Sequence, residues 1–140
     1  MGHHDFVVPI RFLALVGHFF SALLTLYAIK DNCIVALPFL YEQSDLDSLV
    51  GSASAALVLC FCVLAINAVS FFGGFSTFDL PISIFHIFMH TLESILLSIV
   101  VIAKGHYLYV WFIVGIGNGL QLLAEVYTFT TVMVLGKRRW

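Results

Sequence analysis

The sequence predicts an all-α membrane protein, a four-helix transmembrane bundle with short loops. Three observations predict it. Apolar runs cover 8–29, 49–72, 82–103 and 108–135. Each reaches the ~20 residues that a helix needs to cross the ~30 Å hydrocarbon layer of a bilayer. The 140 residues are 61% hydrophobic and only 10% charged, with a mean hydropathy of +1.07, against roughly 25% charged residues in soluble domains. The longest connection, 30–48, is too short to hold a separate active-site domain, so 1–140 reads as one four-helix domain. A net charge of −2 and the lack of a basic stripe before the last few residues give no footing for nucleic acid.

The first run exceeds the 7–15 residues of a signal-peptide core, and no small-x-small cleavage site closes it, so it reads as a retained helix. Four crossings return both termini to one side. Arg11, Lys137, Arg138 and Arg139 lie near that side and only Lys30 and Lys104 near the other, so the positive-inside rule counts four against two and places both termini in the cytoplasm. In the first loop, Ser44 to Asp47 resembles a capping box, with Ser44 as cap and Asp47 reaching back, so the second helix starts before the lipid does. Gly73 and Gly74 end that helix. Asp79 followed by Pro81 starts the third, because proline is tolerated in a first turn. The turn near Lys104 to Tyr107 is very short and predicts that the third and fourth helices are antiparallel neighbours. Tyr107, Tyr109 and Trp111 mark a headgroup level.

Inside lipid, the polar side chains need explaining. His86, His90 and Glu93 step by four and three residues along one face of the third helix. Asn118, Gln121 and Glu125 do the same on the fourth. If the faces meet, Glu125 lies level with His86, Gln121 with His90 and Asn118 with Glu93. The Glu125–His86 pair would sit about 7–10 Å from the midplane. Asn67 falls at a similar depth, and His18 lies near the middle of the first helix. One reading is interhelical hydrogen bonding, worth roughly 0.6 kcal/mol per bond in membranes. The other is a small carrier or redox subunit, with His86, His90 and Glu93 on a metal, His18 and His90 on a haem, or a Glu–His proton relay. Packing is preferred, with no cofactor and no metal. A lone HxxxH is a weak signal, and no second helix repeats the ligand set.

Small residues supply the other packing signal. Gly115 and Gly119 form a GxxxG pattern, and Gly51 and Ala55 stand four apart on the second helix. Such positions let backbones approach closely, within the bundle or against an outside partner. Cys60 and Cys62 point to nearly opposite faces, and Cys33 is alone on its side, so no disulfide framework is expected. No nucleophile–base pair, phosphate loop or carboxylate pair is present, and neither an enzyme activity nor a small-molecule substrate is indicated.

Several short words recur in order along the chain. They are Val8-Pro9-Ile10-Arg11-Phe12-Leu13 with Leu15 and His18, Asn32, Leu37-Pro38, then Phe71, Gly74, Ser76 and Phe78, then His90, Glu125 and Gly136-Lys137-Arg138-Arg139. Together they resemble the transmembrane protein 107 family, small four-helix proteins of the ciliary transition zone. Asn67 stands where that family carries an acidic residue, and His86 and Glu93 are outside its pattern. The resemblance implies a non-enzymatic scaffold in the ciliary membrane. Its implied partners are other transition-zone membrane proteins of the Meckel-type and tectonic complex, together with membrane lipids, and its implied role is in the diffusion barrier and cilium assembly.

Overall fold

A computed structural model describes residues 4–134 as helices and turns. Helix α1 is His4–Ile34, α2 is Gln43–Phe72 and α3 is Leu80–Ile102. The fourth span, Leu108–Met133, is built from α4 (Leu108–Ile113), a π turn (Val114–Asn118) and α5 (Gly119–Met133). All four spans are long and apolar enough to cross a membrane. The expected tail cations Lys137, Arg138 and Arg139 lie outside the described residues, as does the end of the fourth run at Leu135.

The helices outlast the apolar runs. α1 has 31 residues, roughly 46 Å at 1.5 Å per residue, so its ends pass beyond the hydrocarbon layer. α2 starts at Gln43, with Glu42 in an extended conformation as its cap. Ser44 is therefore already inside the helix, and its hydroxyl donates to Glu42 at 3.4 Å. Asp47 accepts from Gln43 Nε2 at 2.8 Å rather than reaching back to a cap. The i to i+4 spacing of Gln43 and Asp47 favours that bond once both are in the helix.

Three connections set the geometry. At the end of α2, Phe75 N–H donates to Ser70 O and Gly74 N–H to Phe71 O, with Gly74 at φ +74°. This is the Schellman arrangement, and it uses the left-handed conformation that glycine adopts freely. α3 begins as expected, with Asp79 accepting from Ile82 N–H at 3.3 Å and proline in the first turn. At the far end, Gly105 N–H closes on Val100 O at 2.8 Å, and Lys104 takes the left-handed position at φ +48°. Asn32 of α1 holds that turn by donating to Val100 O at 2.9 Å and Gly105 O at 2.7 Å.

α1 packs most intimately against α3. The fourth span runs antiparallel to α3 as expected, but α5 itself touches α3 little. The two splay apart toward the end that carries the termini, and polar side chains occupy the splay. The far half of the interior is mainly apolar, around Ala22, Ala53, Ala56, Leu57, Leu97 and Val110, all fully buried. Large apolar side chains such as Leu24, Phe88 and Leu123 face outward instead, as lipid-facing positions should.

Gly74→Val should cost about 1–2 kcal/mol, the penalty of a left-handed non-glycine residue. The midpoint of thermal unfolding in detergent checks this, and a midpoint equal to the parent's would contradict the role assigned to that turn.

Candidate functional site

The buried face of α1 repeats as Arg11, Leu15, His18, Ala22, Thr25, Ile29 and Asn32. An arginine on this seam is carried into the bundle interior. Arg11 is 2% exposed. Its Nη2 donates to Glu125 Oε1 at 3.0 Å and Ser76 Oγ at 2.8 Å, and its Nη1 donates to Ser76 O at 2.9 Å and Ser83 Oγ at 3.2 Å. The guanidinium also lies 5.6 Å from the centre of the Phe71 ring. Glu125 Oε1 further accepts from Ser76 Oγ at 3.0 Å and lies 3.0 Å from His86 Nε2, while Oε2 accepts from Ser70 Oγ. α1, α2, the 73–79 turn, α3 and α5 therefore meet at one carboxylate. Because the Schellman turn folds the chain back under the bundle, Ser76 can reach both members of the ion pair.

A second cluster lies deeper. His18 Nδ1 and His90 Nδ1 are 3.0 Å apart, so one ring must donate and the other accept. With the shared proton on His90, His18 carries its own on Nε2. That atom faces Glu93 Oε2 at 3.2 Å and Cys60 Sγ at 3.5 Å. Glu93 Oε1 accepts from Gln121 Nε2 at 2.5 Å, and Gln121 Oε1 accepts from Asn67 Nδ2 at 2.6 Å. The rings of His86 and His90 stack with centroids 5.8 Å apart and join the two clusters. Asn118 is also buried, and neither of its amide atoms finds a hydrogen-bond partner among the described residues.

The structure brings Glu125 to His86, the level expected for them. It shifts the other two pairs. Gln121 meets Glu93 rather than His90, and His90 turns to His18. The π turn lies between α4 and α5, and both Gly117 and Asn118 face inward there. The Glu93 carboxyl occupies the space that a Cβ on Gly117 would need. Gly115 and Gly119, expected as packing positions, have open space where a Cβ would stand, as does Gly51. Gly51, Ala55 and Gly115 are on the outer surface. Close approach inside the bundle therefore falls to Gly117.

By sequence position, Arg11 counts as a charge at the membrane edge. Its burial removes it from the positive-inside count, because a cation neutralised inside the bundle does not report the aqueous side. Ser70, Ser76, Ser83 and Cys60 also belong to the clusters, beyond the polar positions that the helix spacing marks. The available signal was the seven-residue step from Arg11 to His18 and from Cys60 to Asn67, which places each pair on one helix face.

The proposed ligand sets do not assemble. His86 turns to Glu125, His90 to His18, and Glu93 is shared between His18 and Gln121. Among the described residues, no three His, Cys, Asp or Glu side chains converge as a metal would require. His18 and His90 contact each other directly, which leaves no space for a haem plane between them.

The TMEM107 family model, described as a transmembrane protein, matches residues 7–129. The chain is 26% identical over 138 residues to "Transmembrane protein 107" of Homo sapiens, covering 99% of both chains. It is 25% identical to the proteins of the same name from Rattus norvegicus and Mus musculus, again over 99% of each chain. No solved structure matches significantly.

Two outcomes follow from the clusters. Arg11→Ala leaves a buried carboxylate without its cation and should cost about 3–5 kcal/mol, whereas Arg11→Met combined with Glu125→Leu should recover most of that loss. Thermal unfolding of the single and double variants checks this, and additive losses would contradict it. Gly117→Ala should cost about 1–3 kcal/mol through collision with Glu93. Gly115→Leu combined with Gly119→Leu should change the stability of the isolated protein by no more than about 0.5 kcal/mol. The reverse order would contradict the assignment of Gly117 as the close contact.

Proposed function

The chain belongs to the TMEM107 family of membrane proteins, and on that premise we propose that it is a structural and assembly protein of the ciliary transition zone. In this reading it performs no catalysis and holds no cofactor. It helps recruit other membrane proteins of the Meckel-type and tectonic complex into a ring that limits diffusion between the plasma membrane and the ciliary membrane.

The observation that carries the reading is the family match through all four spans. The residues that meet at the ion pair add support: Arg11, Phe71, Ser76 and Glu125 are among those on which the sequence resemblance rests. The bundle also uses its charged span residues on itself. What remains for partners is an apolar outer surface, the small residues Gly51, Ala55 and Gly115 on it with half-buried Gly119 beside them, and the 35–42 loop. In that loop Phe39 is 98% and Leu40 87% exposed. Such a surface suits lateral assembly within a bilayer, where close backbone approach drives association. With Arg11 withdrawn, Lys137, Arg138 and Arg139 still outnumber Lys30 and Lys104 by three to two, and both termini are proposed to face the cytoplasm.

A tagged copy in a ciliated cell should concentrate in the zone just above the basal body. Uniform plasma-membrane or endomembrane staining would contradict the proposal. Stoichiometric zinc, iron or haem in the purified protein, lost on His90→Ala, would replace the proposal with a carrier.

A further inference from the structure

α2 and α5 do not close on one another over their whole length. Between them a cleft of about 520 Å³ opens toward the lipid. Ile66 and Val69 form one wall, and Leu122 and Val126 form the other. The rings of Phe75 and Phe129, with centroids 5.9 Å apart, roof it at the end that carries the termini. One turn below that roof the wall turns polar, where Ser70 and Glu125 reach it. A second cleft of similar size, about 450 Å³ between α1 and α2, is lined by apolar residues such as Phe12, Phe19 and Phe61. Any acyl chain suits that second cleft. The polar spot distinguishes the first.

The two oxygens of Glu125 are unequally occupied. Oε1 faces Arg11, Ser76 and His86, whereas Ser70 is the hydrogen-bond donor to Oε2. A carboxylate offers about four lone-pair sites over its two oxygens, so Oε2 can accept one more donor. Phospholipid tails carry no donor, and a phosphate headgroup is an anion facing a carboxylate. The chemistry asks for a neutral lipid with a hydroxyl on an apolar body. Ser70 lies two residues before the end of α2 at Phe72, roughly 3 Å along the helix, so the polar spot is in the part of the cleft nearest the termini.

The walls favour a rigid body over a pair of chains. Ile66, Val69 and Val126 are β-branched and stiff. A fused-ring lipid loses little conformational freedom on seating against them, whereas a two-chain lipid would leave one chain outside. From Phe129 to Leu122, α5 lines roughly 10 Å of the cleft. We propose that the cleft between α2 and α5 is a sterol-binding site, with the sterol hydroxyl donating to Glu125 Oε2 beneath Phe75 and Phe129 and the ring system lying between Ile66, Val69, Leu122 and Val126.

The full chain in phosphatidylcholine nanodiscs, labelled with a cholesterol analogue carrying a diazirine on its rings, tests this. Adducts should concentrate on segments 65–70 and 122–129. Unlabelled cholesterol should compete about tenfold better than its methyl ether, because the ether has lost a hydrogen bond to a charged acceptor. Diacylglycerol should compete weakly. Val126→Trp, at a lipid-facing position, should reduce labelling about tenfold by filling the cleft, while Val16→Trp in the other cleft should leave it unchanged. Adducts spread over every lipid-facing segment would overturn the site. Equal competition by the methyl ether would overturn the hydroxyl contact, and equal competition by diacylglycerol the sterol class. The competition arms use the unmodified chain, so a variant that fails to fold does not blunt them.

Discussion

A carboxylate inside a membrane bundle requires a neutralising partner, and the arrangement turns on how Glu125 meets that requirement. Arg11 supplies the cation from the opposite end of the chain. Three serines and a histidine complete the shell around the pair. A buried ion pair of this kind contributes little net stability, since desolvation offsets most of the attraction. Its effect is on register. Sliding α1 by one turn would leave two uncompensated charges in hydrocarbon, and so would rotating α5 away. Only one alignment of α1, α3, α5 and the 73–79 turn satisfies both groups.

The deeper cluster depends on that alignment. Once Arg11 is fixed at its level, His18 two turns along α1 is carried to His90. That contact turns Glu93 toward Gln121 and the Gly117 backbone. The polar groups thus form one continuous path from the splayed end to the middle of the bundle, where apolar packing around Leu57 and Leu97 takes over. The dry half and the polar half have different consequences. The first lets helices close with small and branched side chains. The second sets which helix goes where. Because both halves turn their packing and their ion pair inward, the lipid-facing surface is left free for partners and for lipids.

Much of this was legible from residue order. Length and apolarity define the four spans, because lipid thickness is a hard ruler. The steps of three and four along α3 and the fourth span identify the faces that turn inward, and Glu125 with His86 follows from depth alone. What periodicity does not carry is which neighbouring level a side chain turns to, and here, with Glu125 held at His86, Gln121 reaches past His90 to Glu93. That choice arises from contacts distant in sequence, above all Arg11 with Ser76 and Glu125. Charge counting misread Arg11, because proximity to a helix end looks the same whether the side chain turns to water or inward. The GxxxG pattern does not pick out the close contact inside the bundle, for a related reason. Spacing marks Gly115 and Gly119, but the carboxyl of Glu93 selects Gly117. The start of α2 is shifted by a local effect, since the Gln43–Asp47 bond forms once the helix begins two residues earlier than a Ser44 cap allows.

The central claim, that the cation of α1 and the carboxylate of α5 are in contact within the membrane, has a direct test. Solid-state NMR on the full chain in lipid bilayers can measure the dipolar coupling between ¹⁵N in the Arg11 guanidinium and ¹³C in the Glu125 carboxyl. A coupling that corresponds to hydrogen-bond contact, lost in Ser76→Val only if that serine holds the pair together, is the expected result. The absence of any Arg11–Glu125 coupling in a folded, four-span protein would contradict the claim.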